Sequence, residues 1–262
     1  MRLATSYAIM GVGGINMRMT EFEYAKDVKM FVKFLDGKYL DDLLSGKLYM
    51  NNIKYFIELE KRHKNKGVGD KREAGFVIRP DKIYIMDPET DEITGRPVQA
   101  EIIRRYEHAP KVPVFCFTMF TAKDFVLYEE NEEYISFKLD IGEDMQKFLE
   151  FGDKAVIFGP NFREKVISAS QKHNVEVKMK PIEYQTNKEI DTEKESLFQQ
   201  RSPEMFFWKE EEFSYQREAR LILPSTFVED KYIFEIGSLE DSTVIPIKDF
   251  FERSIIKAYK NI

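Results

Sequence analysis

The run Val112–Met119 (VPVFCFTM) constrains this chain more than any other stretch. Strand side chains alternate between two faces, and here both faces are apolar, interrupted only by Pro113. A strand of that kind is stable only where both faces are covered, so the run predicts a central strand. Thr118 stands near its C-terminal end, where a polar side chain reaches a cleft. Cys116, the single cysteine of the chain, reads as a small buried hydrophobe rather than a nucleophile, and it can form no intramolecular disulfide.

The elements around this run are short. Met30–Leu35 reads as a strand, Tyr39–Leu44 as a brief helix stopped at Ser45 and Gly46, and Lys47–Met50 as another strand. Ile53–Glu60 has helical spacing. Phe76–Ile78 and Lys82–Met86 read as the arms of a hairpin, and Val98–Tyr106 is either strand or short helix. Tyr134–Leu139 and Lys154–Phe158 are strands, and Phe162–His173 is an amphipathic helix. Val175–Tyr184 is a strand that Pro181 makes an edge or a bend. Residues 185–205 are a long loop or contain a charged helix over Thr192–Gln200. Strand-like runs close the chain at Tyr215–Leu223, Lys231–Ile236, Thr243–Ile247 and Ser254–Tyr259.

With 262 residues, 22 Phe and 13 Tyr, the expectation is one α+β domain over 19–262 with substantial sheet. Residues 1–18 faintly resemble a signal peptide without a cleavage site and read as a disordered leader. A net charge of −6 argues against nonspecific binding of duplex DNA, which needs excess positive charge. His63, His108 and His173 lack a second ligand at metal spacing, so no metal is expected. No run reaches the ~18 apolar residues of a membrane helix, and the expected location is cytoplasmic.

Two stretches carry candidate chemistry. From Lys61 to Arg72 half the residues are basic, and Lys61, Arg62, Lys64, Lys66, Lys71 and Arg72 are either a solvated loop or contacts for phosphate or nucleic acid. The second is Phe206–Pro224 (FFWKEEEFSYQREARLILP), which contains the only tryptophan. Alternation over Tyr215–Leu223 puts Gln216, Glu218, Arg220 and Ile222 on one face. Gln216 and Glu218 are then a catalytic pair, or Glu218 and Arg220 form a structural ion pair.

Four stretches resemble, in order, a widespread and poorly characterised family of bacterial and phage proteins. They are Phe31–Phe34 (FVKF), Leu43–Tyr49 (LLSGKLY), Phe115–Thr118 (FCFT) and Phe213–Ile222 (FSYQREARLI), together spanning about 190 residues. The layout is also similar to the ADP-ribosyltransferase superfamily. That resemblance implies a split, mostly antiparallel sheet around an NAD cleft. It places Lys33 and Thr118 as cofactor-binding residues, with Lys33 where the superfamily has Arg or His, and Gln216 and Glu218 as catalytic residues. In that role a carboxylate stabilises the positive charge that builds on the ribose as the nicotinamide bond breaks.

Two functions follow as expectations. One is NAD-dependent modification of a protein or nucleic-acid target by a toxin, effector or phage takeover factor. The other is a non-catalytic phage or mobile-element protein that binds and inhibits a host defence protein through Glu129–Glu133 and Phe206–Glu212. A third, weaker reading is single-stranded nucleic-acid binding through Lys61–Arg72.

Overall fold

The computed structural model describes residues 17–62, 69–80, 82–97, 100–186 and 192–260, and of residues 60–62 only the helical backbone. The expected leader falls largely outside these residues, and His63, Lys64 and Lys66 lie wholly outside them. The fold is α+β and mostly antiparallel. Its main sheet has eight strands: β1 (Lys29–Leu35), β2 (Lys47–Asn52), β3 (Pro113–Thr121), β4 (Lys154–Ile157), β5 (Lys178–Pro181), β6 (Glu218–Ile222), β7 (Lys231–Glu235) and β8 (Thr243–Pro246).

β3 is the hub, as its two apolar faces require. On one side it pairs β6, which in turn pairs β5. On its other side the sheet divides. Thr118–Thr121 pair with β1, which continues to β4 and β8. Pro113 and Val114 pair with β2, which continues to β7. Cys116 lies between these two registers and pairs with neither β1 nor β2, so the sheet is split beside it.

Three apolar clusters cover the sheet. On one face Phe115, Phe117, Leu221 and Leu48 pack against Phe162, Val166 and Ala169 of the helix Phe162–His173. The other face is covered in two parts. Val32, Phe34 and Phe120 pack under a three-stranded sheet (Phe125–Glu130, Tyr134–Leu139, Ile255–Tyr259) and the helix Ile247–Arg253. Val114 and Ile222 pack under Ile53, Phe206 and Phe207. Each fully buried Phe contributes roughly 1.5–3 kcal/mol. Val114 and Phe120 thus anchor the two ends of one face of β3, and Cys116 and Thr118 lie in the gap between.

Local chemistry explains the element boundaries. Gly46 ends the first helix at φ +87°, and a Cβ there would lie 1.8 Å from the Gly237 carbonyl oxygen. Asn52 ends β2 and starts the helix Ile53–Arg62. Its Oδ1 accepts the Tyr55 N–H at 3.0 Å, and its amide donates to the Val228 and Glu229 carbonyls. Pro181 breaks its stretch as expected: β5 ends there, and Glu183–Gln185 joins Trp208–Glu210 in a separate parallel pair.

Some expectations are corrected. Phe76–Ile78 pairs with Ile102–Arg104, a strand within the stretch left open between strand and helix, and not with the following segment. Ile85–Met86 pairs instead with Ile93–Gly95 across the Asp87 turn. The acidic stretch at 129 begins as strand, since Phe125–Glu130 is the edge of the three-stranded sheet.

Candidate functional site

The strand expected from Tyr215 begins only at Glu218. Glu211–Gln216 is a 3-10 helix, and Arg217 adopts the left-handed conformation at φ +46°, ψ 40°. A non-glycine residue held there is strained, and neighbours must hold it. Arg217 Nε donates to Asp124 Oδ1 at 2.6 Å, and Nη1 donates to Asp144 Oδ2 at 3.1 Å and to the Tyr215 carbonyl at 2.8 Å. Its own carbonyl accepts the Met119 N–H at 2.8 Å, which docks the corner onto β3. From Glu218 onward the expected alternation holds: Glu218, Arg220 and Ile222 lie opposite Thr118, Cys116 and Val114, while Ala219 and Leu221 pack in the other face's core.

Glu218 is buried in a network of charges. Its Oε1 accepts from Arg220 Nε at 2.5 Å and its Oε2 from Lys209 Nζ at 2.8 Å. Arg220, 2% exposed, turns its other two nitrogens to Glu73 at 2.7 and 2.6 Å, and Nη1 also donates to the Phe206 carbonyl. Lys209 Nζ further donates to Gln216 Oε1 at 2.8 Å and lies 3.7 Å from Glu73 Oε1. Gln216 and Glu218 therefore meet at one ammonium, although Gln216 is not on the strand. The ion pair that the sequence set against catalysis, Glu218 with Arg220, is present.

The electrostatics follow from this packing. Burial pushes the Glu218 pKa up, but Arg220 and Lys209 outweigh it and hold the carboxyl well below the usual range. Burial pulls Lys209 down, and the carboxylates of Glu218 and Glu73 reverse that to a net rise. Nearby Asp70, 2% exposed, accepts the Arg72 N–H at 2.8 Å. Burial, followed by the Glu73 charge, raises its pKa to about 7.

Lys33 differs from these groups. Its Nζ donates to the Cys116 carbonyl at 2.7 Å, in the sheet's split, and sits 5.0 Å from the Phe115 ring centroid. Among the described residues it has no carboxylate within salt-bridge distance. Burial pulls its pKa down, with only partial compensation from Cys116 and Glu218. Thr118 Oγ1 donates to the Gln216 carbonyl at 3.3 Å.

These groups line one pocket of about 210 Å³, opening where the sheet divides. Lys33, Thr118, Gln216 and Glu218 all contribute to its wall, as do Glu73, Lys209 and Arg220. Phe34, Phe56, Phe117 and Phe151 supply the apolar part. Cys116 also lines the pocket and is half-buried, less enclosed than expected; burial pushes its thiol pKa up, which keeps it protonated. Among the described residues no group of three His, Cys, Asp or Glu could hold a metal ion. No helix among them is long and apolar enough to cross a membrane.

The basic stretch contributes differently from expectation. Lys61 and Arg62 end a helix whose side chains there fall outside the described set. Arg72 is no open phosphate contact: it pairs with Glu101 at 2.7 Å and with Glu210, beside Arg79, which pairs with the same two carboxylates. Lys71 is half exposed, 3.9 Å from Glu101. The aromatic run at 206 is corrected as well. Phe206 and Phe207 are 2% exposed and belong to the core, so they offer a partner no anchors. Glu129 remains exposed and bonds locally to Tyr134 and Asn131.

Glu73 and Lys209 are the site residues that the sequence reading missed. Lys209 lies inside the Phe206–Pro224 stretch without having been singled out, and Glu73 lies one residue beyond the basic stretch. Tyr184, whose hydroxyl accepts the Glu218 N–H at 2.7 Å, was likewise unmarked. Comparison with protein-family models, curated proteins and solved structures returned no match.

Proposed function

We propose that this chain is an ADP-ribosyltransferase-like protein whose pocket receives the nicotinamide–ribose end of NAD, for transfer of ADP-ribose to a macromolecular target. One observation carries this reading. Lys33, Thr118, Gln216 and Glu218 come from three distant stretches of sequence, yet all line a single pocket at a division of the central sheet.

The chemistry of the wall fits that ligand. Three cations face two carboxylates, Lys33, Lys209 and Arg220 against Glu73 and Glu218, so the wall suits an anionic ligand. A pocket of about 210 Å³ is small beside the ~300–1,000 Å³ of typical ligand sites, so it takes one end of a dinucleotide and leaves the rest outside. Lys33 has two further N–H donors for a diphosphate or ribose oxygen. The Phe side chains supply a surface for a flat ring.

Arg220 and Lys209 favour the ionised form of Glu218, the form that stabilises an oxocarbenium-like ribose. When the nicotinamide bond breaks, its electron pair leaves with the ring. The target's nucleophile then attacks the ribose carbon and loses its proton. Gln216, tied to the same lysine as Glu218, orients that nucleophile.

A second reading has its own support. Both Glu218 oxygens already hold a cation, so the carboxylate faces a developing positive charge with its field largely cancelled. A pocket that binds without turnover fits this pairing and agrees with a non-catalytic protein acting on a host partner. Incubating the protein with NAD and following nicotinamide release separates the two. Release that disappears in Glu218→Gln supports transfer, and saturable binding without release supports the second reading.

A further inference from the structure

The pocket holds two lysines in opposite states. Lys209 is fully partnered: its ammonium reaches Gln216, Glu218 and, at 3.7 Å, Glu73. Among the described residues Lys33 makes one hydrogen bond, to a neutral carbonyl. That bond uses one N–H, which a neutral amine can also donate, and in the neutral form the nitrogen lone pair is left for the pocket. The charged and titratable groups sharing the wall are Glu73, Cys116, Lys209, Glu218 and Arg220. Both carboxylates among them are committed to Arg220 and Lys209, so among the described residues Lys33 has no counter-ion of its own. A lysine desolvated in a pocket without a paired carboxylate is the environment that turns an ammonium into a nucleophilic amine.

From this geometry we infer that Lys33 is an imine-forming residue, and that the pocket takes small aldehydes or ketones carrying an anionic group. The lone pair of the neutral amine attacks the carbonyl carbon, giving a carbinolamine. The hydroxyl then departs as water, taking the amine's two protons in total, and the C=N bond forms with no oxidant or reductant. Lys209 and Arg220 offset Glu73 and Glu218, so protonation of the imine nitrogen restores a third positive charge to the wall, and an anionic group on the bound carbonyl compound compensates it. Burial, which lowers the Lys33 pKa, raises its share of free base at neutral pH. This property does not depend on NAD and stands or falls separately from the transfer reading.

The test is reductive trapping on the full chain. The protein is incubated at pH 7 with glyoxylate and cyanoborohydride, which reduces the imine to a stable secondary amine, and the adducts are mapped by peptide mass spectrometry. Glycolaldehyde, similar in size but uncharged, is the parallel probe. The expected result is modification of Lys33 roughly tenfold above any other lysine, with glyoxylate preferred over glycolaldehyde, and loss of that adduct in Lys33→Arg. Modification spread over lysines by exposure, or appearing first at Lys209, overturns the assignment. Equal trapping of both probes overturns the anionic selection. The mapping is made on the unaltered chain, so it decides the matter even where Lys33→Arg does not fold.

Discussion

Glu73 and Arg220, 147 residues apart in sequence, meet as a two-armed ion pair with both partners almost fully buried. The pair fastens the segment around residue 70 to β6 and sets one wall of the pocket. Breaking a buried pair from one side leaves a charge without compensation, which costs about 3–5 kcal/mol. Glu73→Gln is therefore expected to lower the unfolding free energy by that order in a denaturant titration. Replacing both partners, as Glu73→Met with Arg220→Met, should cost clearly less than the two single changes together. A double variant as unstable as their sum would show that the two residues act independently.

Arg217 gives a cleaner backbone prediction. Its φ of +46° disfavours any side chain with a Cβ, and glycine reaches it freely. Arg217→Gly and Arg217→Ala both lose the bonds to Asp124 and Asp144. The glycine variant should be the more stable by about 1 kcal/mol, as measured by thermal unfolding. The opposite order would mean that the left-handed corner is not kept in solution.

Asp70 makes stability depend on pH in an unusual direction. Its folded pKa of about 7 lies above the ordinary carboxylate value, because burial and then the Glu73 charge oppose ionisation. Between roughly pH 4 and pH 7 the folded state holds a proton that the unfolded chain has released. This contribution is therefore complete below the unfolded pKa and is lost as pH rises through 7. Asp70→Asn, which keeps an oxygen for the Arg72 N–H, should flatten the melting temperature over that window. A slope unchanged by the substitution would assign the pH dependence elsewhere.

Much of the fold was legible because its signals are local. The two apolar faces of Val112–Met119 identify the hub strand, the apolar spacing of Phe162–His173 gives its helix, and Gly46 marks a helix end. Alternation from Glu218 onward put Glu218 and Arg220 on one face correctly. It failed one residue earlier, at Arg217, because the left-handed corner is fixed by Asp124 and Asp144, far away in sequence. The pairing partner of Phe76–Ile78 was hidden for a similar reason, since Ile85–Met86 and Ile93–Gly95 between them form their own small hairpin. At the site, Lys33, Thr118, Gln216 and Glu218 were nominated by resemblance to a layout. Glu73 and Lys209 carry no local mark: each becomes part of a site only through the charges it meets across the fold.

Direct titration with NAD decides whether Lys33, Glu218 and the charges between them receive an anionic nucleotide, as proposed above. Calorimetry on the unaltered chain and on Lys33→Met, supported by thermal shift, reads binding whether or not turnover follows. Saturable one-to-one binding to the unaltered chain is expected, with affinity reduced at least about tenfold in Lys33→Met through loss of the Lys33 hydrogen bonds to the ligand. No heat and no thermal shift at millimolar NAD, or equal binding by both proteins, would contradict it.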